Sequence, residues 1–214
     1  MKNRLQYISQ GRNLDEQKRN ILQALDYGAD WIQVRWKNAS EREMISLCET
    51  TRIWCTNYSA TCIINDHIPI AKEVEADGVH LGLKDETVQL ARMVLGKGKI
   101  IGGTANTLED VIQRATEQCD YIGLGPFRFT TTKNELSPVL GIKGYAAIMQ
   151  QLRDTDTVVP PVYAIGGIEY DDIAALLNTG ISGIAVSGMI TKRPDFIFNI
   201  LSQLKENEKI NHIR

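Results

Sequence analysis

Residues 30–37 read DWIQVRWK, a segment in which polar and apolar side chains alternate after a short apolar start. Side chains alternate across a strand, so Gln33, Arg35 and Lys37 share one face and the apolar residues occupy the other. Amphipathic stretches at 14–27 and 41–56 flank the segment, which predicts a strand between two helices. Its polar face either lies in solvent at a sheet edge or faces an anion, because burying unpaired cations is costly.

The same alternation of short apolar runs and longer amphipathic stretches recurs along the chain. Strands are predicted at 4–9, 30–36, 61–65, 78–81, 100–103, 121–123, 162–165 and 183–186. Helices are predicted at 14–27, 41–56, 68–75, 86–95, 108–118, 144–152, 170–178 and 195–204. This order predicts one α/β domain over 1–214, a closed (β/α)₈ TIM barrel. An open doubly wound sheet is the alternative, but the regular units and the chain length favour closure. A polar tail at about 206–214 is expected to be disordered.

Composition narrows the class of protein. The 214 residues, 43% of them hydrophobic, suffice for one sizeable core. A net charge of −2 and a pI near 6.0 give no reason to expect nucleic acid or a membrane surface as a partner. The apolar runs are too short to span a bilayer and no signal peptide is recognisable, so we expect a cytoplasmic protein. Cys48, Cys55, Cys62 and Cys119 lack CxxC spacing and are expected to be reduced and buried.

Two aspartates follow neighbouring strands of the predicted barrel. Asp66 comes directly after the third strand and Asp85 follows the fourth. The carboxyl ends of barrel strands carry the chemistry, so both side chains are expected at the same face. Two carboxylates with open positions suit Mg²⁺, which keeps water and substrate phosphates as its other ligands. Either aspartate is alternatively a helix N-cap, but the nearby Arg35 and Lys37 favour a metal–diphosphate site.

Other strand ends offer hydroxyls and glycines. Thr104 follows the fifth strand, where neighbouring glycines let a ligand approach the backbone. Gly167 follows the seventh strand, and Ser187 and Gly188 follow the eighth, where barrels often bind phosphate through backbone N–H groups. His80 lies in a mostly apolar strand end, so a hydrogen-bonded core histidine is favoured over a catalytic one.

The longest connection, 126–141, carries three threonines and a lysine. Long loops on a compact barrel are often binding loops, and hydroxyls beside an ammonium suit phosphate oxygens. A solvated polar loop is the alternative. The residues concerned are Thr130, Thr131, Thr132 and Lys133.

Taken together, these motifs resemble the thiamine phosphate synthase family along essentially the whole chain. The resemblance rests on Gln33-x-Arg35-x-Lys37, Asn65-Asp66, Asp77-Gly-Val-His-Leu-Gly82 with Asp85, Gly123-Leu-Gly-Pro126 before Thr130-x-Thr132-Lys133, Gly166-Gly167-Ile168 and the end of the eighth strand. It implies a transferase that joins a hydroxymethylpyrimidine diphosphate to a thiazole phosphate, releasing diphosphate and forming thiamine phosphate.

The resemblance also implies roles for individual residues. The pyrimidine diphosphate would be held by Arg35, Lys37, Asn65, Thr104 and Lys133, with Gln33, Val34 and Trp36 beside them. The thiazole phosphate would be held by Thr130, Thr131, Thr132, Gly167, Ser187 and Gly188. Asp66 and Asp85 would bind Mg²⁺, while Arg35, Lys37 and Lys133 would act in catalysis by neutralising the departing diphosphate. An electron-rich aminopyrimidine supports a methylene cation, so ionisation before attack needs no protein nucleophile.

The chain departs from the family pattern at three places. Thr104-Ala105-Asn106 replaces Ser-Ala-His after the fifth strand, Gly188 replaces a serine, and Phe127-Arg128-Phe129 replaces Ile-Tyr-Pro. The first change keeps a hydroxyl but loses a histidine, and the third adds a cation whose partner the sequence does not identify.

Two alternative functions compete with the synthase. A related thiazole tautomerase uses a histidine after the fifth strand, which is Asn106 here, and a non-catalytic phosphate-binding barrel needs only Gly167, Ser187 and Gly188. The intact cluster of diphosphate-binding residues favours the synthase over both. The sequence leaves open the oligomeric state (a homo-oligomer is one option), the kinetic constants, Mg²⁺ against Mn²⁺, the form of the thiazole, and whether 126–141 is a lid.

Overall fold

Residues 4–129, 138–155 and 157–212 are described by a computed structural model. Eight parallel strands pair in sequence order, and β8 closes onto β1. The strands are β1 (Leu5–Ile8), β2 (Trp31–Val34), β3 (Thr61–Asn65), β4 (Gly78–Leu81), β5 (Ile100–Ala105), β6 (Tyr121–Leu124), β7 (Val162–Ile165) and β8 (Gly183–Val186). The closed barrel confirms the predicted (β/α)₈ fold.

The helices surround this barrel. They are α1 (Leu14–Asp26), α2 (Glu41–Asn57), α3 (Ile68–Glu73), α4 (Val88–Leu95), α5 (Leu108–Thr116), α6 (Gly141–Asp154), α7 (Ile173–Leu177), α8 (Gly188–Lys192) and α9 (Phe196–His212). Side-chain oxygens cap the N-termini of several helices. Asn13 caps α1, Thr87 caps α4, and Ser40 with Glu43 forms a capping box on α2.

The structure corrects the predicted helices in the last quarter of the chain. The predicted helix at 170–178 divides into a 3₁₀ turn, Tyr170–Asp172, and α7. The short helix α8 was not predicted, because five residues show no usable periodicity. The last helix continues to His212 and so includes much of the segment 206–214. Arg4 explains part of this extension, since its guanidinium donates to the carbonyl of Leu204 (2.6 Å) and to the side chain of Asn207 (3.2 Å).

The two faces of the strands contribute to two separate hydrophobic clusters. Residues that point outward from the barrel pack against the helices, and a smaller group fills the barrel interior. In that interior Trp31 packs edge-to-face on Tyr121 and Tyr163, with ring centroids 4.8 and 5.0 Å away. Gly102 is required beside them, because a Cβ there would lie 2.1 Å from the Tyr121 ring. The aromatic layer closes the barrel, so any ligand space lies toward the carboxyl ends of the strands.

All four cysteines are described and buried, and none is in a disulfide, as predicted. Within the described ranges, each helix is either too short or too polar to cross a membrane.

Candidate active site

A cavity of about 770 Å³ opens at the carboxyl ends of the strands. Its floor is made of inward-facing strand residues: Ile8, Gln33, Asn65, His80, Thr104, Ile165 and Ala185. The cavity brings together most of the residues proposed from the sequence, namely Gln33, Arg35, Lys37, Asn65, Asp66, Asp85, Thr104, Gly167, Ser187 and Gly188.

Some proposed residues lie elsewhere. Val34 is fully buried in the core between barrel and helices, and Trp36 packs against that core. Strand alternation explains this, because both side chains point away from the face that carries Arg35. Thr130, Thr131, Thr132 and Lys133 lie outside the described residues, so their predicted roles stay predictions.

Asp66 and Asp85 form an acidic pair at the ends of β3 and β4. Burial is the main cause that raises the pKa of Asp66 to about 7, and the Asp85 carboxylate adds to the increase. Burial also raises the pKa of Asp85, but hydrogen bonds from Asp66 and from the Gly82 N–H (2.6 Å) outweigh it and lower this pKa. The pair therefore retains a proton to higher pH than two isolated carboxyls would.

Neither aspartate acts as a helix cap. The N-cap of α3 is His67, without a side-chain hydrogen bond, and the N-cap of α4 is Thr87, whose hydroxyl accepts from the Leu90 N–H. Asp66 also has a positive φ of 63°, an uncommon conformation for a residue other than glycine. Such strained positions often occur at functional sites, and here the backbone turns the carboxyl toward Asp85.

Arg35 and Lys37 provide positive charge next to this pair. The Arg35 backbone is fixed by the Ser9 hydroxyl, which accepts from its N–H at 2.9 Å. Burial lowers the pKa of the Arg35 guanidinium, and the carboxylates of Asp66 and Asp85 oppose that shift. Lys37 also lowers the pKa of both aspartates. Two cations and two carboxylates thus meet at the β2–β4 side of the cavity.

Gln33 carries a buried donor in the cavity floor. Its residue is 1% exposed, and its Nε2 atom has no hydrogen-bond partner among the described residues. A buried amide N–H without an acceptor is costly, so the arrangement fits a ligand that brings an acceptor oxygen or nitrogen.

Arg128, whose partner could not be identified from the sequence, joins the ends of β6 and β7. Its guanidinium donates to both Asp172 carboxylate oxygens, at 2.9 and 3.0 Å, and to the Gly167 carbonyl at 2.7 Å. The Arg128 N–H also donates to the Gly166 carbonyl at 2.9 Å. Gly167 has a φ of +69°, and a Cβ there would lie 2.9 Å from the Arg128 Cβ. These contacts fix a glycine turn that borders the cavity.

The sequence did not single out several residues that line the cavity. Gln10 follows β1, and the rule that strand ends carry the chemistry would have found it. The Ser187 hydroxyl donates to its side-chain oxygen at 3.4 Å. Lys192 and Phe196 also line the cavity. Lys192 ends the unpredicted helix α8 and Phe196 begins α9, and neither position had a recognisable functional signal.

A divalent cation fits the acidic pair by its donor chemistry. No group of three or more His, Cys, Asp or Glu side chains in the described ranges is arranged to hold a metal ion. Mg²⁺ does not need such a group, because it binds through one or two carboxylates and completes its shell with water and substrate phosphate. Asp66 and Asp85 provide that kind of incomplete set beside two cations.

Known proteins of one family match this chain along nearly its whole length. The sequence profile of the thiamine monophosphate synthase family matches residues 5–190. The thiamine-phosphate synthase of Flavobacterium johnsoniae is 52% identical over 213 residues and covers 100% of both chains. That of Flavobacterium psychrophilum is 50% identical over 206 residues, or 96% of this chain and 99% of the relative. A thiamine phosphate pyrophosphorylase structure from Pyrococcus furiosus is similar with a TM-score of 0.80 and 31% identity, covering 94% of this chain and 96% of that one.

Proposed function

Because the chain belongs to the thiamine monophosphate synthase family and is therefore a transferase, we propose that it makes thiamine phosphate from two phosphorylated substrates. The substrates are 4-amino-2-methyl-5-(diphosphooxymethyl)pyrimidine and 4-methyl-5-(2-phosphoethyl)thiazole or its carboxylate. A bond forms between the thiazole nitrogen and the pyrimidine methylene carbon. The bond from that carbon to the diphosphate oxygen breaks, and diphosphate leaves with the electron pair.

One observation carries the proposal. The cavity has two sides whose chemistry suits an anion, with cations and carboxylates at β2–β4 and a glycine turn with Ser187 and Gly188 at β7–β8. Two phosphorylated substrates need two such sides, separated by a floor that can hold a flat ring. The Gln33 Nε2 atom on that floor, which has no partner among the described residues, suits a heteroaromatic acceptor or a phosphate oxygen.

Charge neutralisation is the main catalytic task in this proposal. Diphosphate departs readily only when its growing negative charge is stabilised. Arg35 and Lys37, which line the cavity beyond the end of β2, would provide that stabilisation. Asp66 and Asp85 would hold Mg²⁺, which supplies further positive charge when bound. Lys133 is proposed as a third cation. The proposed reaction needs no protein nucleophile, because the aminopyrimidine stabilises the methylene cation.

The tautomerase alternative is disfavoured by Asn106. At the position of the histidine that such an isomerase uses, the Asn106 amide donates to the Gly125 carbonyl and is buried. An amide is not a general acid or base at neutral pH, so this position offers no proton transfer. A purely phosphate-binding barrel would not require the acidic pair and Arg35. Oligomeric state and cytoplasmic location stay predictions.

The test is direct synthesis by the purified protein. Incubation with both substrates and Mg²⁺ should yield thiamine phosphate and diphosphate in equal amounts, measured by chromatography with mass detection. Arg35→Gln and Lys133→Ala should each reduce turnover by about 100-fold or more, whereas Arg42→Gln, an exposed change on α2, should not. Absence of product with the wild-type protein, or undiminished turnover after Lys133→Ala, would count against the proposal.

A further inference from the structure

Four inward-facing side chains form a continuous hydrogen-bonded row across the barrel interior. Gln6 Nε2 donates to the Tyr121 hydroxyl at 3.1 Å, and that hydroxyl lies 3.0 Å from His80 Nδ1. His80 Nε2 lies 3.0 Å from the Thr104 hydroxyl. Thr104 and His80 border the cavity, whereas Gln6 and Tyr121 lie beneath it. We refer to these side chains as the Gln6–Thr104 row.

The direction of donation along the row follows from the Tyr121 hydroxyl. A hydroxyl has one proton to donate, and the Gln6 amide already donates to this oxygen. Tyr121 is 1% exposed, and burial raises its pKa, so the proton is retained and needs an acceptor. Among the described side chains in contact with the hydroxyl, the His80 Nδ1 atom is the acceptor that remains. Tyr121 therefore donates to Nδ1.

This donation fixes the state of the imidazole. A neutral histidine whose Nδ1 accepts carries its proton on Nε2. The Nε2–H group then donates to the Thr104 hydroxyl oxygen. Because that oxygen is engaged as an acceptor from below, the Thr104 proton is left for a partner on the cavity side. Thr104 is β-branched, which restricts its χ1 angle and so the position of its hydroxyl oxygen.

We propose that Gln6, Tyr121 and His80 act as positioning residues that make Thr104 an obligate hydrogen-bond donor toward a diphosphate oxygen. The inference rests on the proposed function for the identity of the anion. It adds that side chains in the barrel interior, and not the strand end alone, determine that Thr104 is the donor in this hydrogen bond. The row would favour an acceptor-only ligand such as diphosphate over a ligand that presents a donor at the same position.

The tautomer of His80 tests the first step without any substitution. The chain has three histidines, so two-bond ¹H–¹⁵N correlation spectra are simple, and His80→Gln identifies the His80 signals. The wild-type protein at neutral pH should show the Nε2–H form of His80. Tyr121→Phe should introduce the Nδ1–H form. A wild-type His80 that is protonated on Nδ1, or on both nitrogens, overturns the proposal even if the phenylalanine variant does not fold.

Binding of inorganic diphosphate in the presence of Mg²⁺ tests the second step. By calorimetry, Thr104→Val should weaken binding by about 5- to 10-fold and Thr104→Ser should restore it, as expected for one hydrogen bond. Tyr121→Phe should weaken binding by about 3-fold, but should have no further effect in a Thr104→Val background. Additive losses, or unchanged affinity after Tyr121→Phe, would overturn the proposal, because Tyr121 would then not act through Thr104.

The two proposals fail in different ways. If the wild-type protein shows the predicted tautomer and the non-additive diphosphate binding but makes no thiamine phosphate, the row stands and the proposed function is wrong. If it makes thiamine phosphate but the losses are additive, the function stands and the row is wrong. In the active enzyme, Tyr121→Phe should leave KM for the thiazole phosphate unchanged, a selectivity that general destabilisation would not give.

Discussion

Replacing Asp66 by asparagine should stabilise the metal-free protein at pH 8 while strongly reducing its activity. The folded-state pKa of Asp66 is about 7, above the ordinary value of 3.8. A carboxyl whose pKa is raised by folding stabilises the folded state at pH values below its ordinary pKa. This stabilisation is lost as the pH rises through the folded-state pKa. Asparagine keeps a donor for Asp85 but never acquires the buried charge, so the variant should not show this loss.

The structure gives the size of the effect. A pKa difference between 3.8 and about 7 corresponds to roughly 4 kcal/mol in the free energy of unfolding at high pH. Asp66 is only half-buried, and water screens its charge, so we expect about 2 kcal/mol. The wild-type protein and the variant should therefore have similar stability near pH 4 and diverge up to pH 8.

Urea unfolding in the presence of a chelator measures this difference at several pH values. Asp154→Asn is the matched control, because it makes the same chemical change at an exposed position at the end of α6 and should follow the wild-type curve. Activity of Asp66→Asn should fall by about 100-fold or more, since even outer partners of a metal are worth 10- to 100-fold. A variant that is no more stable than the wild type at pH 8 would refute the reasoning.

Three further substitutions test the β6–β7 side. Gly167→Ala should lower the free energy of unfolding by about 1–2 kcal/mol in urea and raise KM for the thiazole phosphate, because its φ is +69° and Arg128 is too close. Gly98→Ala, with open space around it, is the control and should be neutral. Burial raises the pKa of Asp172, but hydrogen bonds from Arg128 and from a backbone N–H outweigh it and lower this pKa. The Arg128–Asp172 pair therefore stabilises the fold above pH 3.8. This stabilisation is lost as pH falls through the lowered pKa. Arg128→Gln should accordingly cost less than about 1 kcal/mol at pH 7. The cost should become smaller in acid as Asp172 is protonated, leaving the bond to the Gly167 carbonyl, and a cost that does not change as pH falls would contradict this. Tyr145→Phe should lower stability by about 1–2 kcal/mol in thermal unfolding, because its buried hydroxyl joins a β6 carbonyl to a β7 N–H, and an unchanged transition would contradict that role.

The fold was predictable because hydrophobic periodicity repeats in eight units, and each unit is local. Residues 30–37 already specify which side chains face the barrel interior, through alternation alone. The same alternation correctly separates Arg35, at the cavity, from Val34, in the core. The extra helix α8 was not predictable, because five residues cover little more than one turn and are held by tertiary contacts.

Much of the candidate site was predictable from strand ends, but its pairings were not. The rule that strand ends carry the chemistry brings Asp66 and Asp85 to one face from sequence order alone. In contrast, Arg128 and Asp172 are 44 residues apart, and only the folded barrel shows that they meet. The contact between Tyr121 and His80 is likewise invisible in the sequence, since both residues read as ordinary strand interior.

The charges on the β2–β4 side lead to a last prediction. Arg35 and Lys37 attract an anion, but Asp66 and Asp85 oppose it, so the four groups nearly cancel above pH 7. Carboxylates at an anion site are unfavourable unless a cation joins them, and diphosphate with Mg²⁺ satisfies both requirements at once. Calorimetry should therefore show diphosphate binding at least about 10-fold weaker in the chelator than in Mg²⁺ at pH 8. In Asp66→Asn this dependence on Mg²⁺ should shrink, because one opposing charge is gone. Equal affinity of the wild-type protein with and without the metal would mean that the acidic pair has another purpose.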